Sequence, residues 1–205
     1  KKLRQKVGLV FQYPEYQLFE TSIFKDVCFG PKNMGLSEAE CKDRAAKALT
    51  TVGLPESEWE KSPFDISGGE WRRAAIAGVF AMEPEVLVLD EPTAGLDPEG
   101  RRDIFAAIDK MREQTGAAVI LVSHSMEDVA EHADRVVVME DGRIAMDGPV
   151  REVFARREEL EKMGLRAPEA SYLMEKLRDA GLPVKTGIVT SKEAEEEILR
   201  LFGRQ

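Results

Sequence analysis

The sequence predicts an α/β fold with a mostly parallel sheet, an inserted helical subdomain and a small C-terminal helical extension. Residues 86–89 and 117–122 are short apolar runs rich in β-branched side chains, as expected for strands buried on both faces of a parallel sheet. The segment between them has a helical pattern, and a strand–helix–strand unit makes its two strands parallel. After about residue 149 the composition changes to charged segments with narrow apolar stripes, which indicates the extension.

Composition and charge exclude several classes of protein. The 205 residues are 43% hydrophobic and 33% charged, which is typical of a globular protein with one sizeable core. No apolar run approaches the ~20 residues that a membrane-spanning helix needs, and no signal peptide is recognisable. The net charge of −9 gives no support for a nucleic-acid partner. Cys28 and Cys41 are too few for a disulfide framework, so we expect free thiols.

The first predicted strand covers residues 7–11, and Gln12 follows it. A lone glutamine after a strand is by itself typical of a solvated loop. Residues 13–19 carry three aromatic side chains and a proline. Such a loop indicates either a surface for a partner or a segment that packs on its own domain.

A helical insertion is predicted from about residue 31 to 82. Ser37 and Glu40 have the spacing of a capping box, and apolar residues at helical spacing follow as far as Gly53. The next apolar helix opens with Ser67, Gly68 and Gly69. Glycines let a ligand approach the backbone, and a helix N-terminus attracts anions. The alternative is that Ser67 is a simple helix cap.

Two adjacent carboxylates, Asp90 and Glu91, end the predicted strand at residues 86–89. Ligands of open α/β sheets bind at the carboxyl ends of strands. Asp90 could hold Mg²⁺ beside phosphates, and Glu91 could deprotonate a water molecule. By themselves these residues are more typical of a strand that ends in a solvated turn. His124 follows the neighbouring parallel strand, so we expect it to share the site with Glu91.

The last third of the chain begins with a predicted hairpin of residues 135–139 and 143–146, turning at Asp141 and Gly142. Three charged helical segments are expected after it: 151–163, 168–180 and 191–202.

Together these motifs resemble the ATP-binding-cassette (ABC) ATPases, which have a P-loop NTPase-type fold. Residues 67–70 (SGGE) resemble the family's signature motif, and residues 86–90 its Walker B strand. Residues 94–97 (AGLD) match the D-loop. Ser123 and His124 match the switch histidine.

The resemblance implies a role for each candidate residue. It implies ATP and Mg²⁺ as ligands, with Glu91 as the catalytic base and His124 as the switch. Gln12 matches the Q-loop, and with Asp90 it would contact Mg²⁺. The residues implied in nucleotide binding are Ser67, Gly68, Gly69, Glu70 and Asp97. In this family two ATPase subunits enclose the nucleotides, and the signature of one subunit completes the site of the other.

A narrower resemblance is to the ATPase subunits of energy-coupling factor (ECF) transporters, which import vitamins or transition-metal ions. It is carried by residues 13–20 (YPEYQLFE) and the segment that follows. The resemblance implies that the loop from Tyr13 to Phe19 contacts a transmembrane coupling subunit. It also implies a peripheral location on the cytoplasmic face of the membrane, and an extension that aids pairing of the two ATPases. The alternative for the extension is packing on its own core.

Two features depart from the family pattern. No GxxxxGK[ST] motif occurs, although a P-loop of this form cradles the phosphates. We therefore expect residues 1–150 to be an ATPase domain without its P-loop part and 151–205 the extension, and we expect no hydrolysis by this chain alone. Glu70 replaces the usual glutamine of the signature, and its charge should repel a nucleotide unless a cation such as Arg72 or Arg73 offsets it.

Two other functions remain open from the sequence. The first is a non-hydrolysing scaffold that pairs with another ATPase, which the missing P-loop motif would explain. The second is a soluble ABC ATPase acting on ribosomes or in DNA repair. Proteins of that kind usually carry two cassettes or a coiled-coil insertion, and the sequence shows neither.

Overall fold

The computed structural model describes residues 2–203, with residue 15 described by its backbone only. Packing divides the chain into two compact units, Lys1–Val122 and Ser123–Gln205. The sequence-based division at residue 150 depends on a change of composition and on the family resemblance, and it stays a prediction.

The first unit contains three strands and a larger set of helices. The strands are β1 (Val7–Val10), β2 (Val86–Asp90) and β3 (Ala118–Val122). The α-helices are α1 (Leu3–Lys6), α2 (Ile23–Met34), α3 (Glu38–Thr51), α4 (Glu56–Trp59), α5 (Gly68–Phe80) and α6 (Pro98–Thr115). Two short 3-10 helices cover Pro14–Gln17 and Pro63–Asp65.

The three strands form a parallel sheet in the order β1-β2-β3, which confirms the predicted parallel arrangement. Val10 pairs with Leu89, and Asp90 pairs with Val122. All three strands therefore end at one edge of the sheet. The residues that follow them, including Gln12 and Glu91, start from this edge.

The two faces of the sheet differ. Val10, Leu87 and Leu89 are buried in a core that includes α3, α5 and α6. The opposite face exposes Leu9, and Ile120 keeps 52% of its surface accessible. The expectation that residues 86–89 are buried on both faces is therefore wrong, because the core lies on one side of the sheet.

The helical part of this unit begins earlier than the sequence indicated. Helix α2 starts at Ile23, where the Ser22 hydroxyl accepts a hydrogen bond from Lys25 N at 3.4 Å, and Gly35 ends it in the left-handed conformation (φ 89°). Pro31 lies in its last turns, and because proline is unusual inside a helix, the sequence pattern did not indicate a helix here. Helix α3 has the predicted capping box between Ser37 and Glu40.

The second unit contains a hairpin and five helices among its described residues. The strands are β4 (Arg135–Glu140) and β5 (Arg143–Pro149), joined as predicted by Asp141 and Gly142, both with positive φ. The helices are α7 (Met126–His132), α8 (Val150–Ala155), α9 (Arg157–Lys162), α10 (Glu169–Asp179) and α11 (Ser191–Leu201).

One predicted helix of the second unit is in fact two. The chain bends at Arg156 (φ −90°, ψ 49°), which separates α8 from α9 inside the expected helix of residues 151–163. The other two predicted helices are confirmed as α10 and α11. Among residues 2–203, no helix is both long and apolar enough to cross a membrane.

Candidate active site

Glu91 occupies a strained position directly after the end of β2. Its φ of 48° is left-handed, which is uncommon for a residue other than glycine and is often found at functional sites. The backbone N–H of Glu91 donates to Val122 O at 2.9 Å, and Ala94 N donates to Glu91 O at 3.1 Å. The turn is therefore fixed at both ends, and it brings the half-buried Asp90 and Glu91 side by side at the sheet edge.

Gln12 lies at the same edge of the sheet. It is exposed and follows β1 by two residues, and β1 is hydrogen-bonded to β2. The structure thus places Gln12 and Glu91 after adjacent parallel strands, with Asp90 as the last residue of β2.

Arg72 is a positioning residue that sequence reasoning missed. Arg72 is only 5% exposed, and its guanidinium donates a hydrogen bond to the carbonyl of Ala94, three residues after Glu91. The same guanidinium lies 5.9 Å from the centre of the Tyr13 ring. The expectation that Arg72 offsets the charge of Glu70 stays a prediction, but Arg72 also has a structural role. It ties helix α5 to the loop that follows Glu91 and to the loop that follows Gln12.

The start of α5 is a complete capping box. Ser67 Oγ accepts from Glu70 N at 3.3 Å, and Glu70 Oε2 accepts from Ser67 N at 2.9 Å and from the Ser67 hydroxyl at 2.7 Å. These bonds from the Ser67 hydroxyl and backbone lower the pKa of Glu70. The carboxylate of Glu70 thus has a structural use, and because its lowered pKa keeps it ionised, the expected repulsion of a nucleotide stays a prediction. The S-x-x-E spacing was a signal for this use.

Gly68 and Gly69 are the first two residues of α5, where backbone N–H groups have no partner within a helix. A Cβ atom added to either glycine would meet no atom within 4 Å. The space beside these two residues is therefore open. The cap at Ser67 is thus confirmed, and the contact of Ser67, Gly68 and Gly69 with a nucleotide stays a prediction.

The remaining nucleotide candidate, Asp97, is also a helix cap. Its Oδ1 accepts a hydrogen bond from Gly100 N at 2.9 Å at the start of α6. Asp97 is exposed and lies beyond the turn that begins at Glu91. Its contact with a nucleotide stays a prediction.

His124 belongs to the second unit. It is exposed and follows the end of β3 by two residues, just before Ser125, which caps α7. Its place beside Glu91 stays a prediction.

The donor set at the sheet edge fits magnesium better than a transition metal. Among residues 2–203 no group of three or more His, Cys, Asp or Glu side chains could hold a metal by itself. Magnesium typically binds one or two protein carboxylates, together with water and the phosphates of a substrate. Asp90 and Gln12 supply oxygen ligands of that type.

An exposed aromatic surface lies close to Arg72. It consists of Tyr13, Tyr16, Phe64 and Trp71, and we call it the aromatic surface. Ring centres are 6.1 Å apart for Tyr13 and Tyr16, 6.3 Å for Tyr16 and Trp71, and 5.9 Å for Phe64 and Trp71. Tyr16 and Phe64 are more than three-quarters exposed. Sequence reasoning found the two tyrosines but not Phe64 and Trp71, which are distant in the chain.

Comparisons with known proteins agree with this fold and site. A family model described as ABC transporter matches residues 1–94, and one described as AAA domain, putative AbiEii toxin, Type IV TA system matches residues 62–130. The structure of cbiO1 from Clostridium perfringens, part of the ABC transporter complex cbiONQ, is 44% identical with a TM-score of 0.69. It covers 85% of this chain and 69% of that chain.

A second solved structure is similar at greater distance. It is an ATP-binding cassette in a dimeric, post-hydrolysis state bound to ADP and Pi. The identity is 28% and the TM-score 0.62, over 73% of this chain and 65% of that one. The fold and the strand-end carboxylates thus define an ABC-type ATPase.

Curated relatives narrow the assignment. The energy-coupling factor transporter ATP-binding proteins EcfA2 of Clostridium perfringens and Clostridium acetobutylicum are 55% and 56% identical over 201 residues. That of Symbiobacterium thermophilum is 56% identical over 194 residues. The two clostridial alignments cover 98% of this chain and 70% of each relative, and the third covers 95% and 67%. The chain belongs to the family of ATP-binding proteins of energy-coupling factor transporters.

Proposed function

We propose that this chain uses Glu91 as the general base for hydrolysis of ATP and passes the energy to a membrane-embedded importer. The observation that carries the proposal is the fixed left-handed turn at Glu91, held by Val122 O and joined through Ala94 to the buried Arg72. It presents a carboxylate one residue beyond Asp90, where a base is needed and a metal ligand is not.

The other candidate residues have separate tasks in this proposal. Asp90 and Gln12 hold Mg²⁺, which neutralises the phosphates of the bound nucleotide. His124 contacts the substrate from its position after β3. Ser67, Gly68 and Gly69 act on the nucleotide of a second ATPase subunit, through the open amides at the start of α5. The dimeric state of the cassette with ADP and Pi supports such a pairing.

Replacement of Glu91 by glutamine tests the general base. The resemblance places a P-loop upstream, so the experiment uses a polypeptide that also carries one. Loss of a general base typically lowers the rate ~10²–10⁴-fold, whereas ATP binding should persist. Phosphate release and nucleotide affinity are measured on the same preparation.

Glu85→Gln is the matched control, because Glu85 directly precedes β2 at the opposite end of the strand and forms an exposed ion pair with Lys6. Its turnover should equal that of the unmodified protein. Near-normal hydrolysis by Glu91→Gln would remove Glu91 from the role.

We also propose that the aromatic surface, with the loop from Tyr13 to Phe19, docks a transmembrane coupling subunit at the cytoplasmic face of the membrane. The C-terminal end of this loop is held in place, since the buried carboxylate of Asp26 accepts hydrogen bonds from Phe19 N and Glu20 N, both at 2.7 Å. Exposed aromatic side chains on a fixed loop are typical of binding surfaces. Vitamins or transition-metal ions are the proposed cargo of the assembly.

Introduction of a negative charge into the aromatic surface tests this docking. Tyr16→Glu and Phe64→Glu should abolish co-purification with the membrane partner and leave nucleotide binding intact. Leu18 is less suitable, because it packs against the core. Phe202→Glu is the control, since Phe202 is also well exposed but lies in the second unit. Assembly that survives both aromatic substitutions would contradict the proposal.

The alternative functions are less well supported. The family to which the chain belongs consists of ATP-binding proteins of transporters, and the strand-end carboxylates are present. Neither fact favours a scaffold without catalysis, or an ATPase of ribosomes or DNA repair.

A further inference from the structure

The second unit contains a basic cleft that the proposed ATPase reaction does not use. It has a volume of about 220 Å³ and lies between α8, the start of α9, α10 and the segment of residues 185–189. Its lining includes Arg151, Arg157, Arg178 and Lys185, with Glu175 as the acidic member. A concentration of cations is unexpected in a chain whose net charge is −9.

Two of these arginines are fixed as walls of the cleft. Arg151 donates to the carbonyl of Gly187 and to Glu193. Arg157 forms a two-bond pair with Glu175, and its guanidinium lies 5.6 Å from the centre of the Tyr172 ring. Both guanidinium groups therefore have defined positions before any ligand arrives.

The other two cations are held loosely. Arg178 lies 3.7 Å from Glu175, and Lys185 lies 3.8 Å from Glu197. Both distances exceed the range of a hydrogen bond, so their N–H groups remain available for a ligand. Glu197 is already occupied by two hydrogen bonds from Arg200.

A count of charges shows an excess of cations. Four cationic residues line the cleft, Arg151, Arg157, Arg178 and Lys185, and Glu175 is the acidic residue of the lining. Arg151 and Lys185 also face Glu193 and Glu197, which lie beside the lining. Glu197 is deeply buried, and its pKa is lowered to about 2 chiefly by the Arg200 hydrogen bonds, so it stays ionised together with its neighbours. The lining of the cleft therefore carries more cations than anions, and an added anion would reduce this excess.

The backbone contributes further donors. Gly187 has a left-handed φ of 75°, and the segment of residues 185–189 turns at this point. Within residues 2–203, the backbone N–H groups of Thr186 and Gly187 have no hydrogen-bond acceptor. Amides in such a turn commonly bind anions.

We propose that this cleft binds a small phosphate-bearing anion, with Arg178 and Lys185 as its mobile ligands and Arg151 and Arg157 as its fixed walls. Phosphate offers several acceptor oxygens to match the two cations and the free amides, and the arginine fork suits its geometry. The cleft is smaller than typical pockets for larger ligands, which span ~300–1,000 Å³. A free phosphate ion or a small phosphomonoester therefore fits better than a nucleotide or an acidic protein segment.

Calorimetric titration tests the cleft in a preparation of the whole protein. Inorganic phosphate and glycerol 3-phosphate are titrated separately, with chloride at equal ionic strength as the blank. The double variant Arg178→Gln, Lys185→Gln should bind about tenfold more weakly, because two charge-assisted hydrogen bonds are lost. Both side chains are at the surface, so circular dichroism should show an unchanged fold. Tighter binding of phosphate identifies the free ion as the ligand, and tighter binding of the ester identifies a phosphomonoester.

Lys176→Gln is the matched control. It removes one positive charge from α10, as the Arg178→Gln half of the double variant does, but Lys176 does not line the cleft. Its affinity should equal that of the unmodified protein. Equal binding by the double variant would overturn the proposal and assign any bound phosphate to another place, such as the start of α5. Absence of binding to either anion would also overturn it.

Discussion

Helices α3 and α5 begin with the same capping box and then serve different ends. Ser37 and Glu40 cap α3, and Ser67 and Glu70 cap α5 with nearly identical distances. In α3 the first two helical positions are Glu38 and Ala39, and Glu38 forms an ion pair with Lys42. In α5 they are Gly68 and Gly69.

The two helix starts differ in the residues of their first turn and in the space that these residues leave beside the backbone. Acidic residues in a first turn stabilise a helix, whereas glycine lowers its stability. Helix α5 therefore begins with two residues that lower its local stability, and the space beside them is open. The residue five positions after the capping serine differs as well. It is the exposed Lys42 in α3 and the buried Arg72 in α5.

The largest effect is expected when the buried Arg72 of α5 is replaced. Arg72→Gln should lower the free energy of unfolding by about 1–3 kcal/mol, because the half-buried carbonyl of Ala94 loses a charged donor. Turnover should fall by roughly 10- to 100-fold as the turn at Glu91 shifts. Chemical denaturation and phosphate release measure the two effects. Lys42→Gln should change neither, and equal effects of both substitutions would show that Arg72 is an ordinary surface residue.

A smaller effect separates the two capping serines. Ser37→Ala and Ser67→Ala should each lower the free energy of unfolding by about 1 kcal/mol, the usual value for a lost cap. Only Ser67→Ala should also reduce turnover in an assembly of two ATPase subunits, since only α5 faces the nucleotide in our proposal. Denaturation and turnover of both variants decide the matter. A loss of turnover in Ser37→Ala of the same size would point to stability alone.

The smallest effect is a dependence on pH that both helices share. Hydrogen bonds from the capping serines lower the pKa values of Glu40 and Glu70 below their ordinary value of 4.5. A lowered pKa means that the ionised caps stabilise the fold above pH 4.5, and that this stability is lost as pH falls through the folded pKa values.

Glutamine variants measure this pH dependence. The difference in unfolding free energy between the unmodified protein and Glu40→Gln or Glu70→Gln should be constant near neutral pH and shrink below pH 4.5. A difference that stays constant to pH 3 would show that the charge of these carboxylates does not contribute to the free energy of unfolding.

Local patterns in the sequence were sufficient to predict much of the fold. The parallel pairing of β2 with β3, the hairpin turn at Asp141 and Gly142 and the cap of α3 all depend on residues close together in the chain, or on a short repeat of apolar positions. The family motifs around Asp90 and Glu91 also lie within one short segment. Such features are dictated by backbone stereochemistry and by the period of burial, and both can be recognised in the sequence.

Only the tertiary structure decided which side chains face one another. Arg72 and Ala94 are 22 residues apart, and their contact depends on how α5 packs beside the end of β2. Phe64 and Trp71 join Tyr13 and Tyr16 in one surface for the same reason. The burial of only one sheet face and the left-handed turn at Glu91 also follow from packing around the strands. Contacts between distant segments depend on the directions of whole elements, and no local pattern in the sequence encodes those directions.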